Sequence, residues 1–154
     1  MKKLITALLI ATTISNASVC NEIKTRVDDF TGKITKHSPY GFSMRFSKDV
    51  DNGLTEYWLM LTANSSYYSR GEGVTIKFFD GTLYSLPEEE VSIDRYDGQW
   101  NYDSYIKLTS EEVVMLQTKK ITNYKLWIFN EKVIPEESIR FNDFVNCLTA
   151  VEKG

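Results

Sequence analysis

The chain has few of the residues on which metal and cofactor chemistry depends. Among 154 residues there are one histidine, His37, and two cysteines, Cys20 and Cys147. A zinc site needs several such ligands at short spacing, so we expect no metal. The glycine-containing segment 71–73 lacks the lysine and the following helix of a phosphate-binding loop. We therefore expect no cofactor either.

Catalytic motifs are also missing. A nucleophile activated by histidine would have to use His37, which lies beside Ser38 and Pro39 in what reads as a surface loop. No motif surrounds any serine or cysteine. The 21 acidic residues leave open an envelope hydrolase that uses a pair of carboxylates, but the run 88–90 is more simply a solvated turn. We expect that the protein is not an enzyme.

Basic runs are absent, and acidic residues outnumber lysine and arginine by 21 to 18. Neutralising phosphates needs clustered basic side chains, so we expect no nucleic-acid partner. Proline is rare (3 residues), whereas tyrosine (9), phenylalanine (8) and tryptophan (3) are abundant. This balance favours strand-rich structure. A chain of this length with 42% hydrophobic residues indicates one globular domain with a core.

One long apolar run is present, Leu4 to Ile14, and it follows Lys2 and Lys3. With the small residues that end at Ala17, it predicts a Sec signal peptide over 1–17, although a buried N-terminal helix is the alternative. Removing it would change the formal charge from −3 to −5. No run is long enough to cross a bilayer. We therefore expect a mature form that does not span the membrane and is periplasmic or secreted.

The two cysteines allow three interpretations. In an oxidising compartment an even number favours a disulfide between Cys20 and Cys147, which would join the mature N-terminus to the last helix. A buried free Cys147 with Cys20 in a frayed terminus is the second interpretation. The third is a lipid anchor on Cys20, but Val19 is a poor match to the residue that precedes a lipidated cysteine.

Hydrophobic periodicity predicts the fold. Alternating strands flank Asn-Gly at 52–53 and Asp-Gly at 80–81, which predicts two hairpins. Residues 23–36 read as an edge strand or an extended arm. A final helix begins at Pro135 and has an apolar stripe formed by Phe141, Phe144, Val145, Leu148 and Val151. We predict a single α+β domain over 18–154, with a mostly antiparallel sheet of five to seven strands and two helices packed on it.

The centre of the chain, residues 105–129, reads as strand, short helix, strand. Thr109 and Glu112 have the spacing of a capping box at the start of the helix, and the second strand is expected to continue to Phe129. The pattern is carried by Ile106, Leu108, Thr109, Glu111, Glu112, Leu116, Lys119, Lys120, Ile121, Thr122 and Leu126. It resembles a pattern in small exported bacterial α+β proteins of uncharacterised function. This resemblance implies an element of the fold and no activity or site residue.

Aromatic residues stand in two polar segments outside the strand alternation. Tyr67 and Tyr68 lie in the first, and Tyr96, Trp100 and Tyr102 in the second, 94–104. Exposed aromatic side chains are typical interface anchors. The alternative is that these rings fold back over the sheet as an extension of the core.

From these observations we predict an exported interaction protein that binds another envelope or secreted protein through these five residues. An inhibitor or immunity-type protein is the narrower form of this hypothesis. The alternative is a carbohydrate- or small-ligand-binding module in which the same rings stack on the ligand.

Overall fold

The structure is a computed structural model that describes residues 17–150. The predicted signal peptide, residues 1–17, lies outside the described residues except for the backbone of Ala17. The domain predicted to begin at residue 18 is described as far as Ala150.

Two antiparallel sheets make up most of the described chain. The first has six strands, and the second has four. In chain order the strands are β1 (Lys24–Val27), β2 (Ile34–His37), β3 (Met44–Asp51), β4 (Leu54–Ser65), β5 (Val74–Phe78), β6 (Leu83–Leu86), β7 (Ser92–Tyr96), β8 (Gln99–Leu108), β9 (Ile121–Leu126) and β10 (Phe129–Lys132). The six-stranded sheet has the order β1-β2-β3-β4-β8-β7, and the four-stranded sheet has the order β10-β9-β5-β6.

The predicted fold class is wrong. Instead of an α+β domain with one sheet of five to seven strands and two helices, the protein is mostly β, with 47% strand and 20% helix. Alternation of apolar and polar residues shows that one face of a strand is buried. It does not show whether a helix or a second sheet covers that face. Here β9 and β10 of the second sheet pack on β4 and β8 of the first, while the last helix packs on β3, so the strands divide between two layers.

The apolar core joins residues from the facing sides of both sheets. Phe46 of β3 and Ile76 of β5 are fully buried members of it. Tyr124 of β9 connects the layers directly, because its hydroxyl lies within hydrogen-bonding distance of the backbone carbonyl oxygens of Ser43 and Thr62. Such contacts fix the position of one sheet on the other.

Turn chemistry was predicted correctly at two hairpins. Asn52 and Gly53, both with positive φ, connect β3 to β4, and Asp80 and Gly81 lie between β5 and β6. A third hairpin was missed. Residues 94–104 were expected to form a loop, but β7 and β8 pair across the turn at Asp97 and Gly98.

In the central unit, residues 105–129, the predicted helix is confirmed, but the second strand is shorter than predicted. The Thr109 hydroxyl accepts from the Glu112 amide, and the Glu112 carboxylate accepts from the Thr109 amide. The predicted strand to Phe129 instead ends at Leu126. Trp127, with φ of 55°, begins a turn that leads into β10.

The described helices are α1 (Ala17–Cys20), α2 (Ser110–Thr118) and α3 (Pro135–Thr149). In α3 the predicted stripe is buried at Phe141, Phe144, Val145 and Leu148, while Val151 lies outside the described residues. The Phe141 ring meets the Phe46 ring of β3 edge-on, with centroids 6.4 Å apart. Within residues 17–150, none of these helices has the length and apolar character needed to cross a membrane.

The predicted disulfide is present. Cys20 and Cys147 are bonded, with their Cα atoms 5.5 Å apart, so α1 is held against α3. A sulfur atom in a disulfide cannot also carry a lipid, so this bond opposes the lipid-anchor interpretation of Cys20.

Candidate functional site

Two of the predicted binding residues, Tyr68 and Trp100, are in contact at one end of the six-stranded sheet. Tyr67 precedes Tyr68 in the chain, and its ring packs on Phe129 with centroids 5.4 Å apart. β4 ends at Ser65, opposite Trp100 of β8, and the connection 66–73 then carries Tyr67 and Tyr68. The Tyr68 and Trp100 rings have centroids 4.9 Å apart and planes tilted by 58°. Tyr67 is 59% exposed and Tyr68 is 53% exposed. We call Tyr67, Tyr68 and Trp100 the aromatic patch.

Tyr102 lies beneath this patch and cannot touch a partner directly. Its side chain is 0% exposed, and its ring centroid is 4.1 Å from that of Phe129. The Tyr102 hydroxyl donates to the Tyr67 carbonyl oxygen and accepts from the Ser69 amide, both at 3.0 Å. Tyr102 is therefore the residue that holds the connection 66–73 in place.

Tyr96 is exposed but is not brought to the patch. Arg95 pairs directly with Trp100 in the β7–β8 ladder, so these two side chains share a face of the sheet. Successive strand residues point to opposite faces, which places Tyr96 on the other face, where it is 75% exposed. The Arg95 guanidinium lies 5.3 Å from the Trp100 ring centre and adds a positive charge beside the patch.

The connection 66–73 is also fixed at its far end. The Trp127 indole nitrogen donates to the Ser69 hydroxyl at 3.2 Å. The Trp127 amide donates to the Gly73 carbonyl oxygen, and the Gly73 amide donates to the Glu89 carbonyl oxygen, both at 2.8 Å. The patch is therefore carried on a connection bonded to both the β9–β10 turn and the segment after β6.

Sequence reasoning missed Trp127, which it placed inside a strand. The ring packs directly on the backbone of Gly71, where an added Cβ atom would lie 2.2 Å from it. Trp127 and Ile128 form their turn without glycine, proline, asparagine or aspartate, so no ordinary turn signal exists. The one available signal was length, since the expected strand 121–129 is longer than the usual five or six residues.

A charged cleft opens beside Trp127. It has a volume of about 570 Å³ and is lined by Arg70, Gly71, Glu72, Glu88, Glu90, Val91 and Trp127. We call it the Trp127 cleft. Nearby, burial raises the pKa of Glu89 above its usual value, and the charges of Glu90 and Glu112 add to this effect. An aromatic wall with several carboxylates and a guanidinium can stack on a ligand ring and bond its polar groups.

His37 lies elsewhere and is not in a surface loop as predicted. It ends β2, is 8% exposed, and its Nδ1 lies 2.7 Å from the Ser38 carbonyl oxygen. Because a carbonyl oxygen only accepts, Nδ1 must carry the hydrogen. The Ser38 hydroxyl accepts from the Phe46 amide at 3.1 Å. His37 and Ser38 are thus not arranged as base and nucleophile.

Among residues 17–150, no group of three histidine, cysteine, aspartate or glutamate side chains is placed to hold a metal ion. The groups exposed at this end of the molecule are aromatic rings, with charged side chains around them.

Comparison with known proteins gives no family for the chain. No protein-family model matches it, and no curated protein or solved structure matches it significantly. The resemblance of its central unit to small exported bacterial proteins therefore stays a prediction, and a function must be inferred from the aromatic patch and the surfaces around it.

Proposed function

We propose that the protein is an exported, non-enzymatic interaction protein that binds another envelope or secreted protein through the aromatic patch. The observation that carries this proposal is the fixed presentation of two exposed tyrosines. Tyr67 and Tyr68 are each more than half exposed, while Tyr102 holds the backbone on which they lie. Exposed rings on a fixed connection supply contact area with little further loss of conformational entropy.

Periplasmic or secreted localisation is part of this proposal. The disulfide between Cys20 and Cys147 is a bond that persists mainly in oxidising compartments. The apolar run behind Lys2 and Lys3 is the support from sequence. An inhibitor or immunity-type role is the narrower form of the proposal. It is supported by the formal charge of −5 that remains after removal of residues 1–17, which suits a basic partner.

The test is affinity capture from an envelope extract with oxidised residues 18–154 as bait. The test variant is Tyr67→Ser with Tyr68→Ser. The matched control is Tyr105→Ser in β8, which removes a ring of similar exposure, 52%, from the face of the sheet opposite the core. We expect one dominant protein, retained by the wild type and the control, whose affinity for the double variant is at least about tenfold lower.

Two results would contradict the proposal. The first is a partner that binds the double variant and the wild type with equal affinity. The second is the absence of any specifically retained protein.

A further variant, Tyr96→Ser, tests the extent of the binding surface, because Tyr96 lies next to Arg95 but on the other face of the sheet. We expect it to bind as the wild type does.

A second candidate function, carbohydrate binding, is favoured by the Trp127 cleft. Trp127 is 38% exposed and lies beside Arg70, Glu72, Glu88 and Glu90. Its indole can stack on a sugar ring while the charged side chains bond the hydroxyl groups. Titration with cell-wall saccharides, followed by tryptophan fluorescence, tests it. We expect saturable binding that Trp127→Leu removes and Tyr105→Ser retains. If no saccharide changes the fluorescence, this candidate is rejected.

A further inference from the structure

A second cavity lies on the face of the six-stranded sheet that points away from the core, and it is rich in basic side chains. It has a volume of about 290 Å³ and is lined by Arg26, Asp28, Lys33, Thr35, His37, Tyr40, Arg45 and Ser47. We call it the arginine cavity. None of these residues belongs to the aromatic patch or to the Trp127 cleft.

Strand register places the basic residues on one face. Arg26 of β1 pairs with Thr35 of β2, and His37 of β2 pairs with Ser47 of β3. Paired residues of antiparallel strands share a face, as do residues two apart in one strand. Arg26, His37 and Arg45 therefore project from three adjacent strands to the same side. Because Arg45 alternates with the buried Phe46, that side faces away from the core.

Tyr40 lies between His37 and Arg45 and orients both. The His37 and Tyr40 rings meet edge-on with centroids 4.8 Å apart. The Arg45 guanidinium lies 4.7 Å from the centre of the Tyr40 ring. Since Nδ1 of His37 is engaged by the Ser38 carbonyl oxygen, the remaining ring nitrogen, Nε2, is the one that a ligand could use.

The negative charges near the cavity are engaged by other groups. One Asp28 oxygen accepts from the Phe30 and Thr31 amides. Asp49 pairs with Lys33 at 2.6 Å and accepts from the Thr35 hydroxyl at 2.8 Å. The Asp28 carboxylate also lines the cavity and interacts with the Arg26 charge, and one Arg45 nitrogen donates to the Met60 sulfur at 2.8 Å. Among the described residues, no carboxylate forms an ion pair with either guanidinium group.

We propose that the arginine cavity binds a phosphate-type oxyanion. Guanidinium groups bond two oxygens of such an anion at once, and they are weakly hydrated compared with an ammonium group. Arg26 and Arg45 supply the charge, and the Ser47 hydroxyl can donate a further hydrogen bond. Because His37 Nδ1 carries the hydrogen, Nε2 is an acceptor and can bond only the protonated oxygen of a hydrogen phosphate group. The anion is either free phosphate or the headgroup of a phospholipid at a membrane surface.

The first experiment titrates inorganic phosphate into oxidised residues 18–154 and follows the His37 ring and arginine side-chain signals by NMR. We expect saturable shifts at His37 and Arg45. Arg26→Gln and Arg45→Gln should each weaken phosphate binding about tenfold, the loss of one charge-assisted hydrogen bond. Arg70→Gln, the control, makes the same charge change at the Trp127 cleft and should leave the affinity unchanged.

The second experiment distinguishes the two sources of the anion. Vesicles of phosphatidic acid in phosphatidylcholine are compared with phosphatidylcholine alone in a sedimentation assay. Binding to the acidic vesicles only, with no response to inorganic phosphate and with loss in Arg45→Gln, assigns the site to a lipid headgroup. The proposal is overturned if inorganic phosphate leaves the His37 and Arg45 signals unchanged and the acidic vesicles do not bind the protein. It is also overturned if Arg70→Gln weakens binding as much as Arg45→Gln does.

This inference does not depend on the aromatic patch. The Tyr67→Ser, Tyr68→Ser double variant should bind phosphate as the wild type does, and Arg45→Gln should retain the protein partner. Failure of either proposal therefore leaves the other to be judged by its own measurement.

Discussion

At the scale of single residues, Tyr102 shows how a buried side chain can shape a surface. It was predicted as a contact residue because it lies in an aromatic-rich segment. The structure places its hydroxyl between the Tyr67 carbonyl oxygen and the Ser69 amide. The exposure of Tyr67 and Tyr68 in one arrangement therefore depends on a residue that no partner could reach.

Replacing Tyr102 with Phe keeps the ring and removes only the hydroxyl. We expect a loss of about 1–3 kcal/mol in the free energy of unfolding, because the Ser69 amide and the Tyr67 carbonyl oxygen lose a partner. Urea unfolding measures this loss, and hydrogen exchange at Ser69 should become faster. Tyr105→Phe, which alters an exposed ring, is the control. Equal stability of the two variants would show that the hydroxyl does not hold the connection.

Gly71 is required by the Trp127 ring. Gly71→Ala would place a methyl group 2.2 Å from that ring, so the indole must move, and we expect destabilisation of about 1–3 kcal/mol. The same change made together with Trp127→Leu should cost less, because the smaller side chain leaves room. A double-mutant cycle from urea unfolding measures this coupling. Strict additivity of the two changes would contradict the contact.

At the scale of elements, short-range chemistry was predictable and long-range pairing was not. The Asn52–Gly53 turn and the Thr109 capping box depend on residues within four positions of each other, so the sequence contains the whole signal. The turn at Trp127 depends instead on a bond from its amide to Gly73, far away in the chain. The residues next to Trp127 in the sequence give no sign of this hydrogen bond.

The start of α2 should be sensitive to acid. Burial would raise the pKa of Glu112, but hydrogen bonds from Tyr84 and Thr109 outweigh it and lower the pKa below its usual 4.5. The unfolded chain then binds this proton more tightly than the folded chain. The stabilisation is therefore full above that usual value and is lost as the pH falls through the lowered pKa.

Glu112→Gln removes this contribution. It also removes the Glu112 charge that helps to raise the pKa of Glu89, a smaller effect of opposite sign on stability as the pH falls. We expect wild type to lose more unfolding free energy than the variant between about pH 6 and about pH 3, since glutamine does not titrate. Asp28 and Asp80, whose pKa values are also lowered by hydrogen bonds, remain in both proteins and act in the same direction. Chemical unfolding at a series of pH values provides the comparison. Parallel pH profiles would show that Glu112 contributes nothing.

At the scale of the whole molecule, the division into two sheets was the main feature that the sequence did not reveal. Both sheets use strands with one apolar face, so Phe46 and Ile76 look alike in sequence although they belong to opposite layers. The site itself stays a prediction, but the arrangement of its rings could be foreseen only in part. Tyr67 and Tyr68 stand out from their polar surroundings in the sequence, whereas long-range pairing of β4 with β8 and of β7 with β8 places Trp100 beside Tyr68 and turns Tyr96 to the other face.

The disulfide should stabilise the molecule as a whole. Cys20 and Cys147 are 127 residues apart, so their bond restricts nearly the entire unfolded chain. Replacing both with serine is expected to cost about 2–5 kcal/mol, seen as a lower urea midpoint. Wild type unfolded in the presence of a reductant is the matched control and should behave as the variant does. Unchanged stability in both would show that the bond is dispensable.

The anchoring of the connection 66–73 in the free protein also has a kinetic consequence. Because Tyr102 and Trp127 already hold this segment, we expect binding of the proposed protein partner to require no slow rearrangement of the connection 66–73. Stopped-flow mixing should then give a single second-order association phase at about 10⁵–10⁷ M⁻¹ s⁻¹. Loosening the segment with Tyr102→Phe should add a slower phase whose rate no longer increases with partner concentration, so the buried hydroxyl would set how fast the complex forms.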